Sequence, residues 1–198
     1  MKIVCLGCSL TAGYGVSRED SWVGILSRTT CDTWINAGIC GDTTGGMLAR
    51  LGESVFSHSP DSALLMGGIN DILASGSWDC ARANMMAMVH QCVARGIRPI
   101  VGIHIPLYPQ TPHPYGSFLN FTLVAEQVQA YAGWLRLFAG GLRLRTIDFG
   151  RAYEAYIGES GWSRAYLPDG IHPSVEGNRV MADTAARQRF LHQNPGNT

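Results

Sequence analysis

The sequence has few charged residues and no excess of either sign. Among its 198 residues, 15 are lysine or arginine and 15 are aspartate or glutamate, so the formal net charge is zero. Charged residues make up 15% of the chain, compared with about 25% in an average globular domain. A general nucleic-acid binder needs a basic excess to neutralise phosphates, so the composition excludes that class of protein. A surface without net charge also favours self-association, and the partner we expect is a second copy in a homodimer.

Long apolar runs are missing as well. No stretch approaches the roughly 20 apolar residues of a membrane-spanning helix, so we expect no span. The N-terminal MKIVCLG is a short apolar stretch that ends at a glycine, and it lacks the longer apolar segment and cleavage site of a secretory signal. We therefore expect a cytoplasmic protein. The hydrophobic content of 46% excludes a disordered chain, and the length predicts one domain at 1–192 with a frayed tail at 193–198.

Motifs of metal and nucleotide sites are also absent from the sequence. The histidines show no HExxH or paired ligand spacing, and there is no GxxxxGK[ST] segment. Gly13-Tyr14-Gly15 lacks the third glycine of a dinucleotide fingerprint. Cys5 and Cys8 have CxxC spacing, but a strand at Cys5 would point the two thiols to opposite faces. We expect neither a metal nor a cofactor, and we expect all six cysteines to be reduced core thiols: Cys5, Cys8, Cys31, Cys40, Cys80 and Cys92.

Short apolar runs alternate with longer amphipathic segments along the chain. The runs are continuous rather than alternating, which is typical of parallel strands buried on both faces. Strands are predicted at 2–7, 33–38, 63–68, 99–105 and 144–149, and helices at 21–28, 44–56, 78–95, 119–138 and 174–191. This alternation predicts a doubly wound α/β domain with a five-stranded parallel sheet.

Polar residues follow the first three predicted strands and precede the last predicted helix. Ser9 follows the first strand, Gly41 the second and Asn70 the third, while Asp169 and His172 stand before the last helix. The carboxyl ends of parallel strands share one edge of a sheet, so these residues should converge. Each could by itself be a turn or capping residue. Their order, each after its expected element, favours one shared site.

The residue types at this edge suit acyl chemistry. A serine hydroxyl is a poor nucleophile until a base accepts its proton, and His172 is a suitable base. Asp169 can accept the other imidazole N–H and stabilise the imidazolium. An attacked carbonyl becomes an oxyanion, for which the backbone N–H groups of Ser9 and Gly41 and the amide of Asn70 could be donors.

Four segments carry these residues: one each around Ser9, Gly41 and Asn70, and one that holds Asp169 and His172. They resemble the GDSL or SGNH hydrolase superfamily, called SGNH for its serine, glycine, asparagine and histidine. The segment NAGICGDTTGGMLARL around Gly41 is especially similar to the bacterial thioesterase I, lysophospholipase and arylesterase branch. The resemblance implies a flavodoxin-like three-layer α/β/α fold. It implies Ser9 as the nucleophile, Asp169 and His172 as the rest of the triad, and Gly41 and Asn70 as partners of Ser9 in the oxyanion hole. The implied substrate is a small acylated ester or thioester, hydrolysed through an acyl-Ser9 intermediate.

A segment with four prolines, residues 106–116, follows the fourth predicted strand and is a candidate wall of the substrate pocket. Apolar residues in and beside it suggest an uncharged acyl or aryl group: Leu107, Tyr108, Tyr115 and Phe118. The same residues would also suit a lid or a dimer contact. Because no insertion is large enough for a lid over packed lipid, we expect short or medium acyl chains.

One position departs from the family pattern, because Cys8 stands where the signature has aspartate. That carboxylate normally supports the local loop and a thiol is a poorer hydrogen-bond partner, so we expect a looser loop around Ser9. Three alternatives stay open. Cys8 could itself attack; the protein could be an inactive SGNH-like relative that binds an acylated ligand or a partner; or the same site could serve an acyltransferase or a sugar O-deacetylase.

Replacing each candidate nucleophile in turn separates Ser9 from Cys8. We expect Ser9→Ala to abolish hydrolysis of p-nitrophenyl esters and Cys8→Ala to keep most of it, because only one of two adjacent side chains can face His172. The reverse pattern would assign the attack to Cys8.

Overall fold

Five parallel strands form a single sheet in the order β2-β1-β3-β4-β5, in a computed structural model that describes residues 1–108 and 120–188. The strands are β1 (Lys2–Gly7), β2 (Thr33–Gly38), β3 (Ser62–Met66), β4 (Arg98–Ile103) and β5 (Arg145–Asp148). This is the flavodoxin-like strand order, and the predicted fold class is confirmed. The first two strands have the predicted bounds, and the other three differ from prediction by one or two residues at their ends.

The central strands are buried along almost their whole length. All five residues of β3 are buried, and so are the last five of β1. Since neighbouring side chains in a strand point to opposite faces, both faces of the sheet must be covered. α10 packs against α2 and α8 on one face, while α3 packs against α6 and α5 against α7 on the other. The helices are α1 (Ser9–Ala12), α2 (Trp22–Thr29), α3 (Thr44–Ala49), α4 (Leu51–Ser54), α5 (Ile69–Ser75), α6 (Asp79–Ala94), α7 (Phe121–Gly141), α8 (Phe149–Ser160), α9 (Trp162–Ala165) and α10 (Val175–Gln188).

Four of these helices were not predicted from the sequence: α1, α5, α8 and α9. α1 and α9 are single turns, too short to show a periodic pattern. α8 contains Gly150, and glycine weakens a helical pattern. The structure requires glycine there, because a Cβ would lie 2.9 Å from the carbonyl oxygen of His104. The Asp148 side chain caps this helix by accepting the Arg151 N–H.

The predicted tail at 193–198 lies outside the described residues, as do the last residues of the final predicted helix. In 1–108 and 120–188, no helix combines the length and the apolar character that crossing a membrane requires.

The expectation of six core thiols is only half correct. All six cysteines are free, and Cys5, Cys8 and Cys92 are buried. The prediction is wrong for Cys31, Cys40 and Cys80, which are exposed. The last of these lies in the first turn of α6 and the other two in connections outside the strands. An apolar neighbourhood in sequence therefore did not imply burial at these positions.

His104, just beyond the end of β4, is a buried histidine in the core. Its ring is stacked on Tyr131 with the ring centroids 5.7 Å apart. Its Nδ1 lies 3.2 Å from the carbonyl oxygen of Ile105, so this nitrogen carries the proton and donates it. Among residues 1–108 and 120–188, its buried Nε2 finds no hydrogen-bond partner. Burial is the main cause that lowers the pKa of His104 to about 4; Arg136 acts in the same direction, while the Ile105 carbonyl and Asp148 oppose the shift. The folded protein therefore holds this imidazole neutral.

Because His104 is buried in its neutral form, the free energy of unfolding should decrease as the pH is lowered. In the unfolded chain His104 has an ordinary pKa near ~6.5 and binds a proton below that pH. His104 should therefore cost the fold up to about 1.4 kcal/mol per pH unit as the pH falls from ~6.5 towards about 4. Urea unfolding between these pH values should show a shallower loss in His104→Asn, whose amide N–H keeps a donor for Ile105. An unchanged pH dependence in that variant would contradict the assignment.

Candidate active site

The carboxyl ends of β1, β2 and β3 are level at one edge of the sheet. The register pairs Gly7, the last residue of β1, with Gly38 at the end of β2 and Met66 at the end of β3. The strand order reverses between β1 and β3, and open α/β sheets bind ligands outside the carboxyl ends at such a point. The segments after these three strands carry Ser9, Gly41 and Asn70, while Asp169 and His172 lie between α9 and α10.

A tight turn places Ser9 at the start of α1. Gly7 ends the strand, Cys8 is the N-cap and Ser9 is the first helical residue. A Cβ at Gly7 would lie 2.1 Å from Thr11 Oγ1 and 2.6 Å from the Met66 carbonyl oxygen. Only glycine therefore lets the strand turn so sharply into the helix, and this turn brings the hydroxyl of Ser9 to the edge of the sheet.

A chain of hydrogen bonds joins Ser9, His172 and Asp169. Ser9 Oγ lies 2.8 Å from His172 Nε2, and His172 Nδ1 lies 2.7 Å from Asp169 Oδ2. A carboxylate accepts, so Nδ1 carries a proton, and in the neutral imidazole Nε2 then accepts from the serine hydroxyl. The structure thus brings together three residues that are up to 163 positions apart in sequence.

Asp169 is held as a carboxylate in this arrangement. Burial opposes its ionisation, but the backbone N–H and ring N–H of His172 and the backbone N–H of Ile171 all donate to it. Together these hydrogen bonds outweigh burial and lower the pKa of Asp169 below its ordinary value. A carboxylate at this position accepts from the ring N–H at Nδ1 and so orients the imidazole.

Gly41 and Asn70 line the same cleft as Ser9. Gly41 has φ +79°, in the left-handed region that favours glycine, and open space surrounds the position that a Cβ would occupy. The backbone conformation therefore calls for glycine here. Asn70, in the first turn of α5, donates from Nδ2 to the Asp42 carbonyl oxygen at 2.8 Å. This hydrogen bond fixes the orientation of its amide.

A buried carboxylate joins the loop of Gly41 to the loop of Asn70. Asp71 accepts from the Thr44 backbone N–H at 2.9 Å and from the Thr44 hydroxyl at 2.6 Å. Asn84 donates to the same hydroxyl from α6. Since Thr44 begins α3 and Asp71 lies in the first turn of α5, the two loops cannot separate without breaking a buried hydrogen-bonded pair.

Arg50, which the sequence analysis missed, connects three segments beneath the cleft. Its guanidinium pairs with Asp42 Oδ2 at 2.7 Å and donates to the carbonyl oxygens of Gly7 at 3.0 Å and Ala37 at 2.8 Å. These groups belong to the loop after β2, the end of β1 and the end of β2. Its signal in the sequence was its place in NAGICGDTTGGMLARL, but no local pattern shows which carbonyl groups a guanidinium will reach.

Cys8 lies beside Ser9 and is a poor candidate nucleophile. It is buried, and burial raises the pKa of its thiol, which disfavours the reactive thiolate. The hydroxyl of Ser9, and not this thiol, stands 2.8 Å from His172 Nε2. Arg50 holds the end of β1 two residues before Ser9, which gives this turn a support that does not depend on a carboxylate at position 8.

The cleft has a volume of about 310 Å³ and mostly apolar walls. Sequence reasoning did not identify most of this lining, because the contributing side chains come from separate loops and helices. The apolar residues that line it are Leu10, Tyr14, Ile69, Leu73 and Ile171.

Leu107 and Tyr108 are the two predicted wall residues that the structure describes, and neither is among the described residues that line this cleft. Leu107 is buried and lines a different cavity with Pro106 and Trp162. Tyr108 stacks on Trp162, with the ring centroids 4.6 Å apart. Tyr115 and Phe118 lie outside the described residues. The pocket wall predicted from this segment therefore stays a prediction.

Potential metal ligands are not clustered in the part of the chain that the structure describes. No group of three or more His, Cys, Asp or Glu side chains there could hold a metal ion. The arrangement at Ser9 can accept and return a proton with its own side chains.

Comparison with known proteins identifies the family of this chain. The model of the GDSL-like Lipase/Acylhydrolase family matches residues 5–180. An arylesterase from Vibrio mimicus is 28% identical over 200 residues, covering 96% of this chain and 89% of the relative. Thioesterase 1/protease 1/lysophospholipase L1 from Escherichia coli strain K12 is 26% identical over 192 residues, covering 94% and 82%.

Solved structures support the same fold. The crystal structure of a member of the lipolytic protein G-D-S-L family from Veillonella parvula superposes with a TM-score of 0.76 at 22% identity, covering 94% of this chain and 97% of that one. At this identity the likeness speaks for the fold alone.

Proposed function

The chain belongs to the GDSL-like lipase/acylhydrolase family and is an ester hydrolase of that family, and from this we propose that it cleaves carboxylic esters or thioesters through an acyl-Ser9 intermediate. The observation that carries the proposal is the unbroken hydrogen-bond chain from Ser9 through His172 to Asp169. It opens onto an apolar cleft large enough for a small acyl group.

The proposed reaction begins with attack by the serine. Ser9 Oγ forms a bond to the substrate carbonyl carbon while its proton moves to His172 Nε2. The imidazolium keeps its other proton on Nδ1, donated to the Asp169 carboxylate. The tetrahedral intermediate collapses when its bond to the alcohol or thiol breaks, and the leaving group takes the proton from Nε2. Water then attacks the acyl-Ser9 carbonyl while His172 Nε2 takes its proton. The bond between the acyl carbon and Ser9 Oγ breaks, Oγ recovers the proton from Nε2, and the free acid leaves.

We assign the oxyanion to three donors. They are the backbone N–H groups of Ser9 and Gly41 and the side-chain amide of Asn70. One N–H of that amide is held by the Asp42 carbonyl, and the second would donate to the oxyanion. Donors fixed before the substrate arrives need little reorganisation during the reaction, which is how such sites lower a barrier.

The rival functions differ from ester or thioester hydrolysis in the substrate, in the acceptor of the acyl group, or in whether an acyl-enzyme forms at all. A sugar O-deacetylase would use the same steps on an acetylated sugar, and an acyltransferase would replace water with an alcohol. An inactive binding protein would not need a serine hydrogen-bonded to a neutral histidine nitrogen, so the geometry favours an active enzyme.

Labelling with a fluorophosphonate tests the activated serine directly. We expect one covalent adduct on the wild-type protein that maps to Ser9 by peptide mass spectrometry. The adduct should be missing in Ser9→Ala and present in Cys8→Ala, whose neighbouring thiol is buried. Folded wild-type protein without an adduct, checked by circular dichroism, would favour the binding-protein alternative. An adduct on another residue would show that the nucleophile is misassigned.

The size of the cleft predicts the preferred acyl length. A volume of about 310 Å³ lies at the small end of ligand pockets, which range over about 300–1,000 Å³. We expect p-nitrophenyl acetate and butyrate to give higher kcat/KM values than dodecanoate or palmitate in one assay series below the solubility limit. Higher kcat/KM values for the long chains would mean that the acyl group binds outside this cleft.

A further inference from the structure

Tyr14 is an aromatic side chain on the wall of the cleft that the proposed mechanism leaves without a role. It is 50% exposed. It lies in the Gly13-Tyr14-Gly15 segment, which does not match a nucleotide site. The question is what holds this ring in the cleft and what it contacts there.

The residues on both sides of Tyr14 are glycines that the backbone conformation and the packing require. Gly13 and Gly15 have φ +86° and +79°, so both lie in the left-handed region. A Cβ at Gly13 would lie 2.4 Å from Ser21 Cβ, and one at Gly15 would lie 2.3 Å from Leu167 Cδ1. The Tyr14 backbone N–H also donates to the Ser9 carbonyl oxygen at 3.1 Å. The half-exposed ring is therefore set on a closely packed turn attached to the proposed nucleophile.

The ring of Tyr14 lies against the ring of His172. Their centroids are 4.4 Å apart and their planes are inclined by 41°. Both ring nitrogens of His172 are engaged by Ser9 and Asp169. The contact with Tyr14 is therefore a contact between the two rings and not a hydrogen bond to either nitrogen. Other titratable groups lining the cleft, among the described residues, are the Asp169 carboxylate and the thiols of Cys8 and Cys40.

An aromatic ring attracts a cation placed within about 6 Å of its centroid, because the face of the ring carries negative charge. The neutral imidazole gains little from this field, whereas the imidazolium gains more. In the proposed mechanism His172 becomes an imidazolium only after it takes the proton from Ser9. The contact would therefore strengthen as the tetrahedral intermediate forms.

We propose that Tyr14 is a positioning residue that stabilises the imidazolium form of His172 through its aromatic face. The role in the reaction rests on the proposed function, because it requires His172 to be the base. The aromatic contact itself does not, and it can be measured without any substrate. The tyrosine hydroxyl has no part in this proposal.

A direct test follows the titration of the His172 ring by NMR in a Ser9→Ala background. Tyr14→Leu removes the aromatic face but keeps apolar bulk over the imidazole, and Tyr14→Phe is the matched control that removes only the hydroxyl. Assignment of the His172 signal comes from its loss in His172→Gln. We expect the pH midpoint to fall by about 0.4–0.7 units in Tyr14→Leu and to change little in Tyr14→Phe.

Kinetics with Ser9 in place provide the second readout. For p-nitrophenyl acetate, Tyr14→Leu should lower the plateau of kcat/KM about two- to fivefold while the acidic limb of its pH profile moves to lower pH. A residue that only shaped the cleft would lower the plateau without moving that limb. Tyr14→Phe should keep both features of the wild-type profile.

The outcomes separate this inference from the proposed function. Equal NMR midpoints in Tyr14→Leu and the parent would overturn the role of Tyr14, whether or not Ser9 is labelled by fluorophosphonate. An equal fall in Tyr14→Phe and Tyr14→Leu would overturn it too, because the hydroxyl would then be responsible. A lower midpoint in Tyr14→Leu alone supports the contact even if Ser9 is not labelled, in which case only the proposed function fails.

Discussion

One guanidinium group sets the relative positions of the loops that form the cleft. Arg50 is largely buried and contacts the carboxylate of Asp42 and the carbonyl oxygens of Gly7 and Ala37. Leaving one member of a buried ion pair without its partner costs about 3–5 kcal/mol. The ends of β1 and β2 and the loop of Gly41 therefore have one arrangement that satisfies all these groups. The hydrogen bonds of Asp71 to Thr44 extend the same constraint to the loop of Asn70.

This framework explains how the polar groups can be in place before a substrate binds. The distances from Ser9 to His172 and from His172 to Asp169, 2.8 and 2.7 Å, are already those of good hydrogen bonds. Holding the proposed donors and base in advance moves the entropy cost of ordering them from the reaction to folding.

The replacement of the family aspartate by Cys8 fits the same framework. The sequence suggests a loop that has lost a hydrogen-bonding carboxylate. In the structure, the turn is defined by Gly7, which could not carry a side chain against Thr11 and Met66, and by the guanidinium at the Gly7 carbonyl. Steric fit and a buried cation together account for the sharp turn at Ser9 with a small apolar residue at position 8.

Local sequence patterns were sufficient to predict the strands, most of the long helices, and the order of the segments that carry the site residues. Continuous apolar runs indicate strands that are buried on both faces. Parallel strands place the segments that follow them at one edge of the sheet, so Ser9, Gly41 and Asn70 could be predicted to lie there. Asp169 and His172 were predicted from their place before the last helix. Only the tertiary structure decided the contacts of Arg50, the ring of Tyr14 against His172, and which apolar side chains line the cleft. The physical reason is that periodicity and residue type record whether a side chain is buried. They do not record which distant side chain it meets, because that depends on how loops far apart in sequence pack together.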